Sequence, residues 1–397
     1  MLLRALRWLP LGLVLPFLVI TPAARGLSLS EIGVMFAVHS AVAIALEVPS
    51  GALADTVGRR KVLLAGAALT ALSLLLFALA EGIAAFAASV GLLAAGRALI
   101  SGALEAWYVD SLRLLDPSAP LSHGLSRGTA AEGIAMAFGS LLGGGLVTVF
   151  DLRAAALAGA LAALAYLAGV AALVHEPRSG APGDAASASI GRRAAEILAT
   201  ARAEAAASLV VRVVIVTGVA LGMAFTAVEL LWQPRLAELL DDGDTDGLAF
   251  GVLAAASMLA VALGASAGPR LSRRLGLRLG YLLALGFAAL CVTGMGAPEA
   301  PLAFAFVYLL AYVGLGVAEP MHYELLNDAV GPTARATLIS AESLAAQGGA
   351  LVSNLGVGIL AAEHGAASTW AVAGALLTLT ALAVAAPLLR AKPRVRW

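Results

Sequence analysis

The stretch GALADTVGRRK, residues 51–61, separates two apolar runs, 31–54 and 61–80, and recurs in weakened form as PRLSRRLGLR at 269–278. Leu53, Gly58 and Arg60 fall on Leu271, Gly276 and Arg278 at a constant offset of 218. The chemistry of the first copy is compact. Glycines let helix ends approach closely, and a carboxylate followed four and five positions later by basic residues can latch one helix end to its neighbour. At an offset of 214, Glu105 falls on Glu319, and at 210 the pair Ala131 and Glu132 falls on Ala341 and Glu342. Such echoes across both halves mark one repeat used twice.

Composition names the solvent of that repeat. Of 397 residues, 61% are hydrophobic and 13% charged, with a mean hydropathy of +0.94. A soluble protein carries about 25% charged residues, so this chain cannot cover a water-facing surface, and a soluble enzyme is excluded. Twelve apolar runs are long enough to cross a bilayer, at 5–23, 31–54, 61–80, 83–109, 125–149, 153–174, 208–233, 247–269, 277–296, 301–325, 336–361 and 367–389. An even number puts both termini on one side. The segments on that side hold 21 of the 25 Lys and Arg residues, which makes it the cytoplasm by the positive-inside rule. The expected location is a cell membrane, inner or plasma, with lipid as the immediate partner. Net charge is zero, so no global field points to nucleic acid. Cys291 is the lone cysteine, which excludes an internal disulfide and any cysteine-rich metal site.

The longest polar stretch, 175–206, opens as a Pro/Gly/Ser/Ala linker and ends in a short amphipathic pattern, either a helix on the membrane surface or a solvated tether. It divides the chain into 1–174 and 207–397. Residues 1–24 also read as a secretory signal, but a retained first helix gives two sets of six.

Twelve helices as six plus six, the central linker and the 51–61 segment together resemble the major facilitator superfamily, whose loop between helices 2 and 3 reads G-x-L-a-D-x-x-G-R-R/K. Gly51, Leu53, Asp55, Gly58, Arg59, Arg60 and Lys61 stand in place. The resemblance implies an all-α membrane fold of two pseudo-symmetric six-helix bundles, working by alternating access and commonly as a monomer. It also implies that Asp55 and Arg59 latch the outward-facing state, with Asp110 as a third member. A plain positive-inside anchor is the other reading of Arg60 and Lys61. In helix 5, AMAFGSLLGG at 135–144 is similar to the antiporter pattern G-x-x-x-G-P-x-x-G-G, with Gly139, Gly143 and Gly144 matching and Ser140 in place of proline. Close helix packing accounts for the same glycines. The family's R-x-x-x-G in helix 4 is matched by Arg97, with Gly102 one position late.

An ionisable group at bilayer depth costs about 2.5–3.5 kcal/mol on insertion scales and reads as functional. Arg97 is predicted near the middle of helix 4, with Glu47, Glu105, Glu132, Glu229, Glu319 and Glu342 as intramembrane carboxyls. One cation cannot neutralise six anions, so several carry protons or line a wet cavity. A continuous helix 4 would put Arg97 and Glu105 about 12 Å apart along its axis. Glu229 stands beside Trp232 and Gln233, ahead of Pro234, where a broken helix is a transporter habit; an interfacial anchor is the other reading of Trp232. Glu319 and His322 share a helix face, and a hydrogen-bonded helix end or proton relay fits them better than a metal site. Glu132 and Glu342 form a pseudo-symmetric pair, read as gates or as partners of Arg127 and Arg335.

No nucleotide-binding loop, nucleophile with base, or metal triad is present, so neither ATP, enzymatic catalysis nor a cofactor is expected. The sequence reading is a secondary transporter, with protons and a small solute as partners. Its preferred form is proton-coupled efflux of an amphipathic cationic or zwitterionic drug or metabolite. Nutrient uptake by proton symport is the alternative, and a non-transporting sensor a more distant one. Excess buried carboxyls favour a cation exchanged for protons, and an apolar lining argues against a sugar.

Overall fold

A computed structural model describes residues 1–116, 120–175, 190–240 and 246–391. Every regular element among them is a helix. The helices are α1 (Leu2–Val14), α2 (Ile20–Ala24), α3 (Leu29–Val57), α4 (Arg59–Leu79), α5 (Gly82–Ile100), α6 (Ala103–Leu115), α7 (Leu121–Val149), α8 (Leu152–Leu173), α9 (Ile190–Ala207), α10 (Leu209–Leu240), α11 (Gly247–Leu275), α12 (Leu277–Gly294), α13 (Pro301–Ala329) and α14 (Pro332–Arg390). Among the described residues ten helices are long and apolar enough to cross a membrane. Two further spans complete twelve. The run 332–390 bends at Gly365 (φ 79°, ψ 165°) into two spans, and Leu2–Ala24 forms one broken span. Pro10, Pro16 and Pro22 explain that break, since each lacks an amide donor and its ring crowds the preceding turn.

Two boundaries differ from the sequence expectation. The fourth span is not one helix over 83–109: it stops at Ile100 and restarts at Ala103, across Gly102 with φ +75°. Arg97 therefore sits in the last turn of α5 and Glu105 in the first turn of α6, so the straight-helix separation does not apply. The tail of the linker, α9, places Ile197, Ala201 and Ala205 at i, i+4 and i+8 against the core that α10, α12, α13 and α14 share. One face of α9 thus packs on protein, and Leu198 beside it is exposed. Residues 176–189 of the linker lie outside the described residues.

The chain forms two compact units. One comprises Met1–Leu27, Val38–Arg192 and Gly243–Ala255; the other comprises Ser28–Ala37, Arg193–Asp242 and Ala256–Trp397. In the first, α1 packs on α7 and α8, and α4 on α5 and α8. In the second, α10 packs on α13 and α14, and α12 on α13 and α14. The repeat extends to atoms. A methyl on Gly139 would lie 2.9 Å from the Leu9 carbonyl oxygen, and Gly349, which is 210 positions on, meets the carbonyl of Val219, 210 beyond Leu9. Gly12 against Met136 has its counterpart in Gly222 against Ala346. Gly58 and Gly276 each open a helix at positive φ with extended ψ (100°, 140° and 82°, 151°), a conformation that L side chains rarely adopt. That requirement explains why glycine survives at both copies of the quoted stretch.

Helix starts are chosen by side chains. Ser28 and Glu31 form a reciprocal capping box ahead of α3, with Ser28 N–H donating to Glu31 at 2.9 Å and Glu31 N–H to Ser28 at 3.3 Å. Asp151 accepts from the backbone of Arg153 and Ala154 at 2.9 and 3.0 Å. Large apolar side chains face outward, Leu302 at 86% exposure and Leu161 at 68%. In water such a surface would aggregate; in hydrocarbon it is the solvated face.

Candidate functional site

In the first unit, polar chemistry centres on α1. Arg4 donates to Glu105 at 2.7 Å, to Glu132 at 2.8 Å and to the Leu125 carbonyl at 3.1 Å, tying α1 to α6 and α7. This corrects two sequence pairings, because the partner of Glu132 is Arg4 rather than Arg127, and Arg97 makes no ion pair among the described residues. Arg97 instead lies over the Trp8 ring at 5.2 Å, with Arg7 over the same ring at 5.5 Å. Arg4, Arg7 and Trp8 are functional candidates that the sequence reading missed, since they resemble an ordinary basic flank of a first span.

Two of the residues expected to form a latch meet. Arg59, in the first turn of α4, makes an ion pair with Asp110 of α6. Arg60 donates to the Ala171 carbonyl at 2.9 Å. The side chain of Asp55 lies outside the described residues, while Gly51 is an exposed position of α3 with open space around it. Glu47 is half-buried in α3. On α7, Gly139 abuts Leu9 and Gly12, Gly143 abuts Leu13, and Gly144 faces Gly247 and Gly251. Ser140, where the antiporter pattern has proline, donates to the Gly12 carbonyl at 3.2 Å, and α7 runs unbroken through it.

The second unit carries a buried hydrogen-bonded chain drawn from four helices. Tyr281 of α12 donates to Thr217 of α10 at 2.8 Å and lies 2.8 Å from His322 Nδ1; His322 Nε2 lies 3.1 Å from Glu342 Oε1. All four side chains are buried. A methyl on Gly218 would approach Glu342 Oε1 to 3.0 Å, so glycine there makes room for the carboxyl. The partner of Glu342 is thus His322 and not Arg335. The pairing of His322 is with Tyr281 and Glu342 rather than with its helix neighbour Glu319, which is exposed. Hydrogen placement follows from the acceptors. Thr217 directs its hydrogen to the Val213 carbonyl at 2.8 Å and so accepts from Tyr281. The donor and acceptor roles of the two His322 nitrogens toward Tyr281 and Glu342 depend on the tautomer.

A second cluster in this unit surrounds Glu229. Tyr312 donates to its carboxylate, and an aromatic run continues from Tyr312 to Tyr308 at 4.8 Å and on to Trp232 at 5.3 Å. Trp232 and Gln233 are each 1% exposed, which removes the interfacial-anchor reading of the tryptophan. Pro234 does not break α10, which continues to Leu240. No group of three His, Cys, Asp or Glu positioned for a metal occurs among the described residues.

Comparison with known proteins agrees with this architecture. The nucleoside transporter NupG superposes with a TM-score of 0.79 at 13% identity, covering 98% of each chain, and a mutant of it with 0.82 at 12% over 97% of each. The peptide transporter POT in complex with sulfate gives 0.74 at 15% identity, over 97% of this chain and 93% of that one. At these identities the likeness concerns the fold. No curated protein matches the sequence. The family description Major Facilitator Superfamily matches residues 1–241, more than half of the sequence, and the chain belongs to that superfamily of transporters.

Proposed function

We propose that the protein is a proton-coupled secondary transporter of the cell membrane, with both termini cytoplasmic. It exports a small amphipathic molecule by alternating access, with 1–174 and 207–397 as the moving halves. The observation that carries the reading is the buried chain Thr217, Tyr281, His322 and Glu342. It has two self-consistent hydrogen arrangements. In one, a proton is shared between His322 Nε2 and Glu342. In the other, Thr217 turns its hydrogen to Tyr281, Tyr281 donates to Nδ1, and Nε2–H donates to an ionised Glu342. The two differ by one proton, and rotating two hydroxyls converts one into the other. Every member stays hydrogen-bonded in both, so the proton is exchanged without orphaning a buried group.

Glu229, with its aromatic surroundings and Tyr312, supplies the element that favours a cationic group on the solute. Export rather than uptake rests on the helix 5 glycine pattern, and uptake by symport uses the same parts in reverse. The test is proteoliposomes with a pH-sensitive dye inside and a panel of cationic, zwitterionic and neutral amphiphiles outside. Solute-driven proton movement that is abolished by Glu342→Gln supports the reading, and its sign gives export or uptake. Proton movement unchanged in that variant removes the chain as the coupling site, and no movement with any compound removes proton coupling.

A further inference from the structure

Charge does not balance around Trp8. Arg4, Arg7 and Arg97 bring three positive charges to this part of the first unit, while Glu105 and Glu132 bring two negative ones, both already held by Arg4. His39, within electrostatic reach of Arg97, gives its Nδ1 to the Val90 carbonyl at 3.1 Å and supplies no anion. A guanidinium has five donor hydrogens, yet among the described residues Arg97 gives none to a carboxylate or carbonyl and lies over the Trp8 ring.

Two neighbouring polar atoms are unsatisfied. Trp8 Nε1 and Tyr166 Oη are buried and without a hydrogen-bond partner. The indole can only donate, and the phenol stands near Arg7 with its hydrogen unused. Arg97 is an exposed position in the last turn of α5. Two guanidinium groups over one indole, with one positive charge left over among the described residues, suit a monoanion. A planar guanidinium matches a carboxylate in a bidentate fork, and the indole face offers an apolar body somewhere to rest.

We infer that Arg97, Arg7 and Trp8 form the binding site for the carboxylate of the transported solute. The inference rests on the transporter reading above and narrows its solute to an amphipathic carboxylate. Inorganic oxyanions share the chemistry of the site, and a single surplus charge favours the monoanionic carboxylate over them.

The test reads binding without transport. Full-length protein in detergent is heated with benzoate, indole-3-acetate or phenylalanine, each matched by its amide, and with inorganic phosphate. The expected result is that carboxylates raise the unfolding temperature and their amides do not. Affinity should fall at least tenfold in Arg97→Gln and partly recover in Arg97→Lys, with Arg7→Gln weaker as well. Equal protection by amides, protection undiminished in both glutamine variants, or phosphate matching the organic acids would overturn the assignment. The wild-type comparison of acid with amide decides even if a variant fails to fold. Arginine-dependent binding without proton flux would keep this site and remove the coupling reading. Flux driven by cations alone, with no protection by any acid, would do the reverse.

Discussion

Glu132 and Glu342 stand 210 positions apart at equivalent places of the two repeats, one on α7 and the other on α14, and they have opposite surroundings. Glu132 accepts from Arg4, which also holds Glu105, a residue whose side chain is 49% exposed. Glu342 is 5% exposed and meets a histidine whose other nitrogen continues to Tyr281. An arginine never gives up its proton, so the first arrangement is a fixed ionic tie. A histidine beside a carboxyl can hold its proton on either ring nitrogen, which is the property that the proposed function uses. Duplication supplied one scaffold, and the choice of basic partner gives the second half the group that the proposed function uses to move a proton.

The sharpest way to break that comparison is to neutralise the two carboxyls separately. Glu342→Gln should retain solute exchange between the two sides of a vesicle and lose pH-driven accumulation by about a hundredfold or more, the scale of a lost proton-transfer group. Glu132→Gln should keep accumulation coupled to the pH gradient. The same loss in both variants would mean that the halves are not specialised.

Removing the fixed tie should register as stability. Arg4→Gln leaves Glu105 and Glu132 without their shared cation. The tie to Glu132 is part-buried and that to Glu105 half exposed, so the expected loss in chemical unfolding, about 1–3 kcal/mol, lies between a surface pair and a fully buried one. A change under about 1 kcal/mol would show that the network is solvated.

The glycine seams test where the halves are alike rather than different. Gly139→Ala and Gly349→Ala each drive a methyl against a facing backbone carbonyl, and overpacking of this kind costs about 1–3 kcal/mol. Gly349→Ala, whose methyl comes closer to the facing carbonyl, should cost the more of the two, and no loss in either would limit the repeat to sequence. The smallest effect belongs to the ion pair of Arg59 with Asp110, whose carboxylate is 47% exposed. Asp110→Asn should change stability by less than about 1 kcal/mol while altering transport rate, and an unaltered rate would remove its latch role.

Much of this architecture was legible before any coordinates. Apolar run lengths give the spans, the offsets of 210 and 218 give the repeat, and the 51–61 stretch carries the family likeness. The break at Gly102 was not, because a glycine inside an apolar run reads as a tolerated helical residue, and only its positive φ reveals the turn. Partner choice was hidden for a different reason. Arg4 looks like any positive flank of a first span, and its carboxylates lie 101 and 128 residues away. His322 and Glu342 were each visible as charges at depth, but their meeting depends on packing between α13 and α14. Spacing within one helix favoured Glu319 instead.

The most direct test of the proposed proton exchange in the second half is infrared difference spectroscopy of the protein between acidic and alkaline pH, following the carbonyl stretch of protonated carboxylic acids. The account predicts a buried-acid band that is present in wild type and in Glu132→Gln and absent in Glu342→Gln. The same band persisting in Glu342→Gln, or no pH-dependent acid band in the wild type, would contradict it.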